Sequence, residues 1–176
     1  MNTAAAFPLS LEAVNAMDEA AFVAAFGDIA EHAPWVATEA AASRPFATRE
    51  AMVDAFAAAI ADADPDRQRA LLLGHPDLAG RAAIAGDMTA DSRREQTGAG
   101  LDALTPEEFA RFTEMNAAYR QRHGIPFILA VRRATRADIL AAYENRLGNR
   151  PEAEFGHAVE QVQRIVQFRI EDRVRD

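Results

Sequence analysis

Residues 105–131 read TPEEFARFTEMNAAYRQRHGIPFILAV, and the fold class turns on how that stretch divides. Thr105-Pro106-Glu107-Glu108 is a strong helix start. It offers a hydroxyl to cap the first N–H groups, a proline where its missing N–H is not needed, and a glutamate three residues past the cap to close a capping box. The helix is expected to run to about Arg122 and to end at Gly124. Next comes Ile125-Pro126-Phe127-Ile128-Leu129-Ala130-Val131, the one strand-like run of the chain. It is continuously apolar, and no second strand is available to pair with it. It therefore reads as a buried extended segment rather than a member of a sheet.

Outward from this stretch, the chain is a series of mostly short helices with local start and stop signals. Ser10 caps a helix through Ala16, Asp18 one to about Gly27, and Pro34-Trp35 opens a third that Arg44-Pro45-Phe46 breaks. Thr48 caps Arg49 to Ala63, where Ala51, Met52, Ala55, Phe56 and Ile60 share a face. Pro65 starts a run carrying Leu71, Leu72 and Leu73, which Gly74-His75-Pro76 interrupts. A helix spans roughly Asp91 to Leu101, another runs from Thr135 to Gly148, and Pro151 opens the last, to about Arg173. The expectation is an all-α fold, an irregular bundle with one extended insertion near 125–131, forming a single domain over 1–176.

Composition narrows the chemistry. The 176 residues are 49% hydrophobic, enough for one core, and the net charge of -8 disfavours nucleic acid or an anionic membrane as partner. An anionic substrate would need local arginines. With no Cys, disulfides, thiolate nucleophiles and Cys-ligated metals are excluded. All 19 basic residues are Arg, so a lysine Schiff base and a Walker-type phosphate loop are excluded too. No apolar run is long enough to span a membrane, and Met1 to Ser10 lacks the pattern of a secretory leader. The end, Arg173-Val174-Arg175-Asp176, is not a peroxisomal address. Cytoplasm is the expected location.

Three places can carry function. Of the four histidines, His123 sits at a helix end where it can serve the last carbonyls, His32 in a turn and His157 in the final helix. None is spaced with another for a metal, so no metal site is expected. His75 lies in a loop between apolar runs, beside a proline that biases it toward extended dihedrals. A plain turn histidine in a Gly-His-Pro corner accounts for the same residues. Ser92, Glu95 and Gln96 fall at i, i+3 and i+4 on one helix face, with Arg93 and Arg94 toward solvent. That face suits an imidazole and a ureido group, and it equally suits an ordinary polar helix start. Arg169 sits in the apolar frame Ile165-Val166-Gln167-Phe168-Arg169-Ile170. It is either a carboxylate-binding fork or the partner of Glu160, Glu171 or another acid.

In order along the chain, these elements resemble one family. They are His75-Pro76-Asp77-Leu78-Ala79-Gly80, Ser92-x-x-Glu95-Gln96, Asn116-x-x-Tyr119, Gly124-Ile125-Pro126-Phe127-Ile128, Arg146-Leu147-x-Asn149 with Glu154, and Arg169. Pro34-Trp35-Val36 and Arg44-Pro45-Phe46 fit as well. The pattern is similar to 2-oxo-4-hydroxy-4-carboxy-5-ureidoimidazoline (OHCU) decarboxylases over nearly the whole chain. The resemblance implies an all-helical homodimer without a cofactor, catalysing the last step from urate to (S)-allantoin. It implies His75 as catalytic acid/base. It also implies substrate contacts from Pro76, from Ser92, Arg93, Arg94, Glu95 and Gln96, from Phe127, Ile128, Leu129, Ala130 and Val131, and from Arg169. Glu95 is expected to orient the imidazole and favour its charged form. Two other readings remain open at this stage: a non-catalytic all-α interaction module, and a lyase or hydrolase acting on another ureido compound.

Overall fold

The computed structural model describes residues 8–80 and 88–176; most of the segment read for a leader, residues 1–7, lies outside them. The fold is all-α, and the chain forms two compact units, one built from residues up to Leu71 with Gln163–Asp176, the other from Leu72–Val162.

In the first unit, α1 (Leu11–Asn15), α2 (Glu19–Phe26) and α4 (Arg49–Ala61) begin where the side chains of Ser10, Asp18 and Thr48 accept N–H groups of Ala13, Ala21 and Ala51. Such a cap contributes about 1 kcal/mol. α3 (Trp35–Ala41) starts at Pro34 without a side-chain cap. Arg44-Pro45 follows it with a cis peptide bond. α5 (Pro65–Leu73) begins after Asp64, whose carboxylate accepts the Arg67 N–H. Phe22, Phe26 and Phe56 are fully buried, with Phe22 centred 5.0 Å from Phe26 and 6.1 Å from Phe56. Of the expected face of α4, Met52, Phe56 and Ile60 are in this core, while Ala51 and Ala55 are half-buried. The sequence reading missed β1 (Leu9–Ser10), which pairs in parallel with β2 (Val174–Arg175) at the other end of the chain. Two residues are too few to show a strand period.

In the second unit, α6 (Ala90–Gly98) is capped by Thr89. It is shorter than the expected Asp91–Leu101, because Gly100, at φ +73°, turns the chain out and leaves the Leu101 N–H on Gln96 O at 3.0 Å. α7 (Pro106–His123) carries the complete capping box of Thr105 and Glu108, and it ends on Gly124 at φ +68°. α8 (Arg136–Leu147) repeats the box with Thr135 and Asp138. α9 (Pro151–Arg173) is the last helix. Residues 126–131 take no regular structure, as expected for an apolar run without a strand to pair with. Phe127 packs edge-on against Tyr119 and Tyr143, at 5.1 Å and 5.5 Å between ring centres. This buried packing, rather than a ladder, positions the segment's apolar side.

Candidate active site

His75 follows α5 after a single glycine and is 6% exposed. Its N–H closes a turn onto Leu72 O at 3.1 Å. The loop that follows it is tied down at Asp77, Leu78 and Ala79. Arg120 Nε donates to both oxygens of Asp77, at 3.0 Å and 3.2 Å. Asn116 Nδ2 donates to Leu78 O at 2.9 Å. Gln96 Oε1 accepts the Ala79 N–H at 3.0 Å, and its Nε2 reaches Asp77 O at 3.4 Å. Asn116 and Arg120, four apart on α7, present the same helix face to the loop. Ala79 holds φ +53°, a left-handed value unusual for alanine. A cavity of about 580 Å³ opens beside the loop, lined by His75, Pro76, Asp77, Gly80, Phe109 and Asn116 among others.

On α6, Ser92 and Gln96 are buried, Glu95 is half-buried, and Arg93 and Arg94 are exposed. This is the division that the i, i+3, i+4 spacing predicts. Arg94 pairs with Asp91 of its own helix. Arg93 Nη2 reaches Met88 O at 3.5 Å and lines a second cavity of about 450 Å³ with Gln96, Leu101 and Phe109. The Gln96 amide is engaged with the His75 loop, so it is part of the frame that holds the histidine.

The extended segment turns Phe127, Ile128 and Val131 inward and leaves Leu129 and Ala130 half-buried. Its main chain is not wholly uncommitted, as an isolated extended run suggests. Arg146 Nη1 donates to Ile128 O at 2.7 Å, and the Ala130 N–H is taken by Gln161 Oε1 at 3.0 Å. Arg146 also donates from Nε to Glu154 Oε1 at 2.7 Å. Glu154 is fully buried and accepts further hydrogen bonds from the Tyr119 hydroxyl and from Asn149 Nδ2, at 2.8 Å for the latter. Burial by itself would raise the Glu154 carboxyl. The bonds from Tyr119, Arg146 and Asn149 outweigh it and hold the group below its ordinary value. Burial, with the bond to Glu154, pushes the Tyr119 phenol well above its own.

Arg169, on α9 in the first unit, is 2% exposed. Its Nη1 lies 3.2 Å from Ile29 O and 3.3 Å from Glu31 Oε2, and Glu31 is itself buried. One turn on, Arg173 Nη1 reaches Ala25 O at 3.0 Å and Asp28 Oδ1 at 2.6 Å. Glu31 is thus an acid facing Arg169, the third of the alternatives that sequence left open beside Glu160 and Glu171. His123 serves a different helix end from the one expected: Nε2 lies 3.2 Å from Leu147 O, at the end of α8 rather than of its own helix. His157 Nδ1 sits 3.6 Å from Glu154 Oε2. Among the described residues no group of three His, Asp or Glu is placed to hold a metal ion.

Helices in this order, around a clamped histidine loop and an arginine-anchored extended segment, can be compared with known proteins. Residues 15–171 match the family described as OHCU decarboxylase. A relative from Haloferax volcanii named 2-oxo-4-hydroxy-4-carboxy-5-ureidoimidazoline decarboxylase is 39% identical over 165 residues, covering 94% of this chain and 96% of that one. The Mus musculus protein of the same name is 40% identical over 159 residues, covering 90% and 89%. A crystal structure of (S)-allantoin synthase superposes with a TM-score of 0.74 at 31% identity, covering 93% of this chain and 53% of that chain. The fold and these matches define an all-α enzyme of the carboxy-lyase class. The chain belongs to the OHCU decarboxylase family.

The residues that sequence reasoning left without a role are Asn116, Tyr119, Arg120, Arg146, Asn149 and Glu154. Their signal was a spacing, Asn116 and Arg120 on one helix face and the Arg146/Asn149/Glu154 cluster, whose partners lie far away in sequence.

Proposed function

We propose that this chain decarboxylates OHCU to (S)-allantoin in urate breakdown, with His75 as general acid/base. The observation that carries the reading is His75 itself: it is buried, and it belongs to a loop whose main chain is tied by Gln96 and Asn116 in a member of this family. Holding a proton-transfer group at fixed geometry is what general acid–base catalysis requires.

The substrate carries its carboxylate on a ring carbon that also bears a hydroxyl, next to a ring carbon–nitrogen double bond. When the bond to carbon dioxide breaks, its electron pair forms a double bond between the two ring carbons. The imine pair moves to nitrogen, which takes a proton. The hydroxyl then gives up its proton to become a carbonyl, and the neighbouring carbon is protonated. The net change is loss of carbon dioxide and gain of one proton. The imine is the electron sink, consistent with a chain that has no lysine to form one. His75 takes the hydroxyl proton and supplies the one delivered to carbon, on one face, which sets the (S) configuration. Glu95 orients the imidazole. Pro76, Ser92, Arg93, Arg94 and Gln96 and the segment Phe127 to Val131 hold the ring and ureido edges, and Arg169 binds an anionic or carbonyl group. The family resemblance also supports a homodimer, and cytoplasm is the location we propose for it.

The test supplies urate, urate oxidase and the preceding hydrolase, and follows optically active allantoin. Added chain should make one enantiomer appear faster than the uncatalysed background. A racemic product at the background rate overturns the reading.

A further inference from the structure

Tyr119, Arg146, Asn149 and Glu154 have no role in the mechanism above, yet all four meet at one buried carboxylate. Glu154 lies in the first turn of α9 and is fully buried with three donors on it. From this anchor Arg146 extends Nη1 to Ile128 O at 2.7 Å and lays its guanidinium 4.7 Å from the centre of the Phe127 ring. Seven residues along α9, on the same face, Gln161 takes the Ala130 N–H at 3.0 Å. The extended segment has no ladder to set the position of its main chain. It hangs instead from one helix face at two points, through Arg146 and through Gln161.

We infer that Arg146 and Glu154 are positioning residues that fix the main chain of residues 128–130 for substrate binding. The choice of groups fits that task. A buried ion pair is a weak source of stability, so its use is better sought in geometry. A carboxylate accepts several donors at set angles, and only a guanidinium fork can reach Glu154 from one nitrogen and Ile128 O from another. A lysine here would keep the charge and lose the bridge. The inference rests on the proposed contact between residues 127–131 and substrate, and its experiment separates the two claims.

The full-length variants Arg146→Lys, Glu154→Ala and Glu154→Gln are compared by steady-state kinetics and by amide hydrogen exchange at Ala130. Phe56→Leu, in the aromatic core of the first unit, serves as a control for mere destabilisation. Arg146→Lys should raise KM on the order of ten- to a hundredfold, the scale of a misplaced contact remote from the chemistry. Its kcat and pH profile should stay close to the parent's. Exchange at Ala130 should quicken on the order of tenfold as the segment loosens. Glu154→Gln keeps an acceptor for Arg146 and should recover most of what Glu154→Ala loses. Phe56→Leu should lower Tm and leave KM alone. Exchange at Ala130 that is unchanged, or no faster than in the control, overturns the positioning role. Faster exchange with KM unmoved upholds the anchoring and removes the substrate contact from the proposed function instead.

Discussion

Gln96 Oε1 accepts the main-chain N–H of Ala79 at 3.0 Å, and Ala79 is held at φ +53°. One amide thus joins α6 to the loop that carries His75, at a residue with a left-handed backbone. A left-handed alanine persists only where its surroundings over-determine it. Here Gln96 and Asn116, with Arg120 on Asp77, supply that constraint. The amide that sequence offers for gripping a ureido group is bonded to the loop that carries His75.

Gln96→Leu should therefore reduce both stability and turnover. It leaves the buried Ala79 N–H without its acceptor, a cost of about 1–3 kcal/mol. Gln96→Glu keeps the acceptor but buries a carboxylate and takes the donor from Asp77 O, so it should not restore the parent's stability. Urea denaturation gives the stability and the coupled allantoin assay the rate. A Gln96→Leu protein as stable as its parent would show that the clamp holds nothing.

Ala79→Gly is expected to move stability in the opposite direction. Relief of the left-handed conformation is worth roughly 1–2 kcal/mol, offset by about 0.4–1 kcal/mol of extra unfolded-state entropy. Thermal unfolding should show a small net gain. Ala79→Val, with a branched side chain at the same dihedrals, should lose stability, and an equal Tm for the two would contradict the strain.

The Arg169–Glu31 pair is buried on both sides, with 2% and 0% side-chain exposure. Breaking it at one end, as in Glu31→Ala, leaves a buried charge uncompensated and should cost about 3–5 kcal/mol. Combining it with Arg169→Met should give much less than the sum of the single losses. Arg169→Ala should in addition raise KM, since its proposed role is substrate capture. Additive losses in the double-mutant cycle would mean that the pair is not coupled.

The pH dependence of folding should carry two limbs from one network. Glu154 lies below its ordinary value in the folded state. Its contribution is present above the unfolded carboxylate range, near about 4.3, and is lost as pH falls through the folded value. Tyr119 lies above its ordinary value. Its contribution is present below about pH 10 and is lost as pH rises beyond it. Glu154→Gln should flatten the acid limb and Tyr119→Phe the alkaline one, both read from chemical denaturation across pH. A Glu154→Gln curve parallel to the parent's in acid would exclude the carboxylate as its source.

Much of the fold was legible because its signals are local. Ser10, Asp18, Thr48, Thr105 and Thr135 each cap the helix their position announced. The division of Ser92 and Gln96 from Arg93 and Arg94 followed from helical spacing alone. What sequence did not disclose depends on pairings across the chain. Gln96 meets Ala79 across 17 residues, Arg120 meets Asp77 across 43, and Arg169 meets Glu31 across 138. Side-chain chemistry names a class of partner, a carbonyl or an acid, and only the packed chain selects which one. The β1–β2 pairing of the two chain ends was hidden for the same reason.

The central claim is that His75 moves the protons of the reaction, and turnover of freshly generated OHCU by His75→Ala tests it most directly. The variant should remain folded by circular dichroism, and its rate of (S)-allantoin formation should fall by about 10²–10⁴-fold, the usual contribution of general acid–base catalysis. Turnover close to that of the parent, with the same enantiomer formed, would contradict the account.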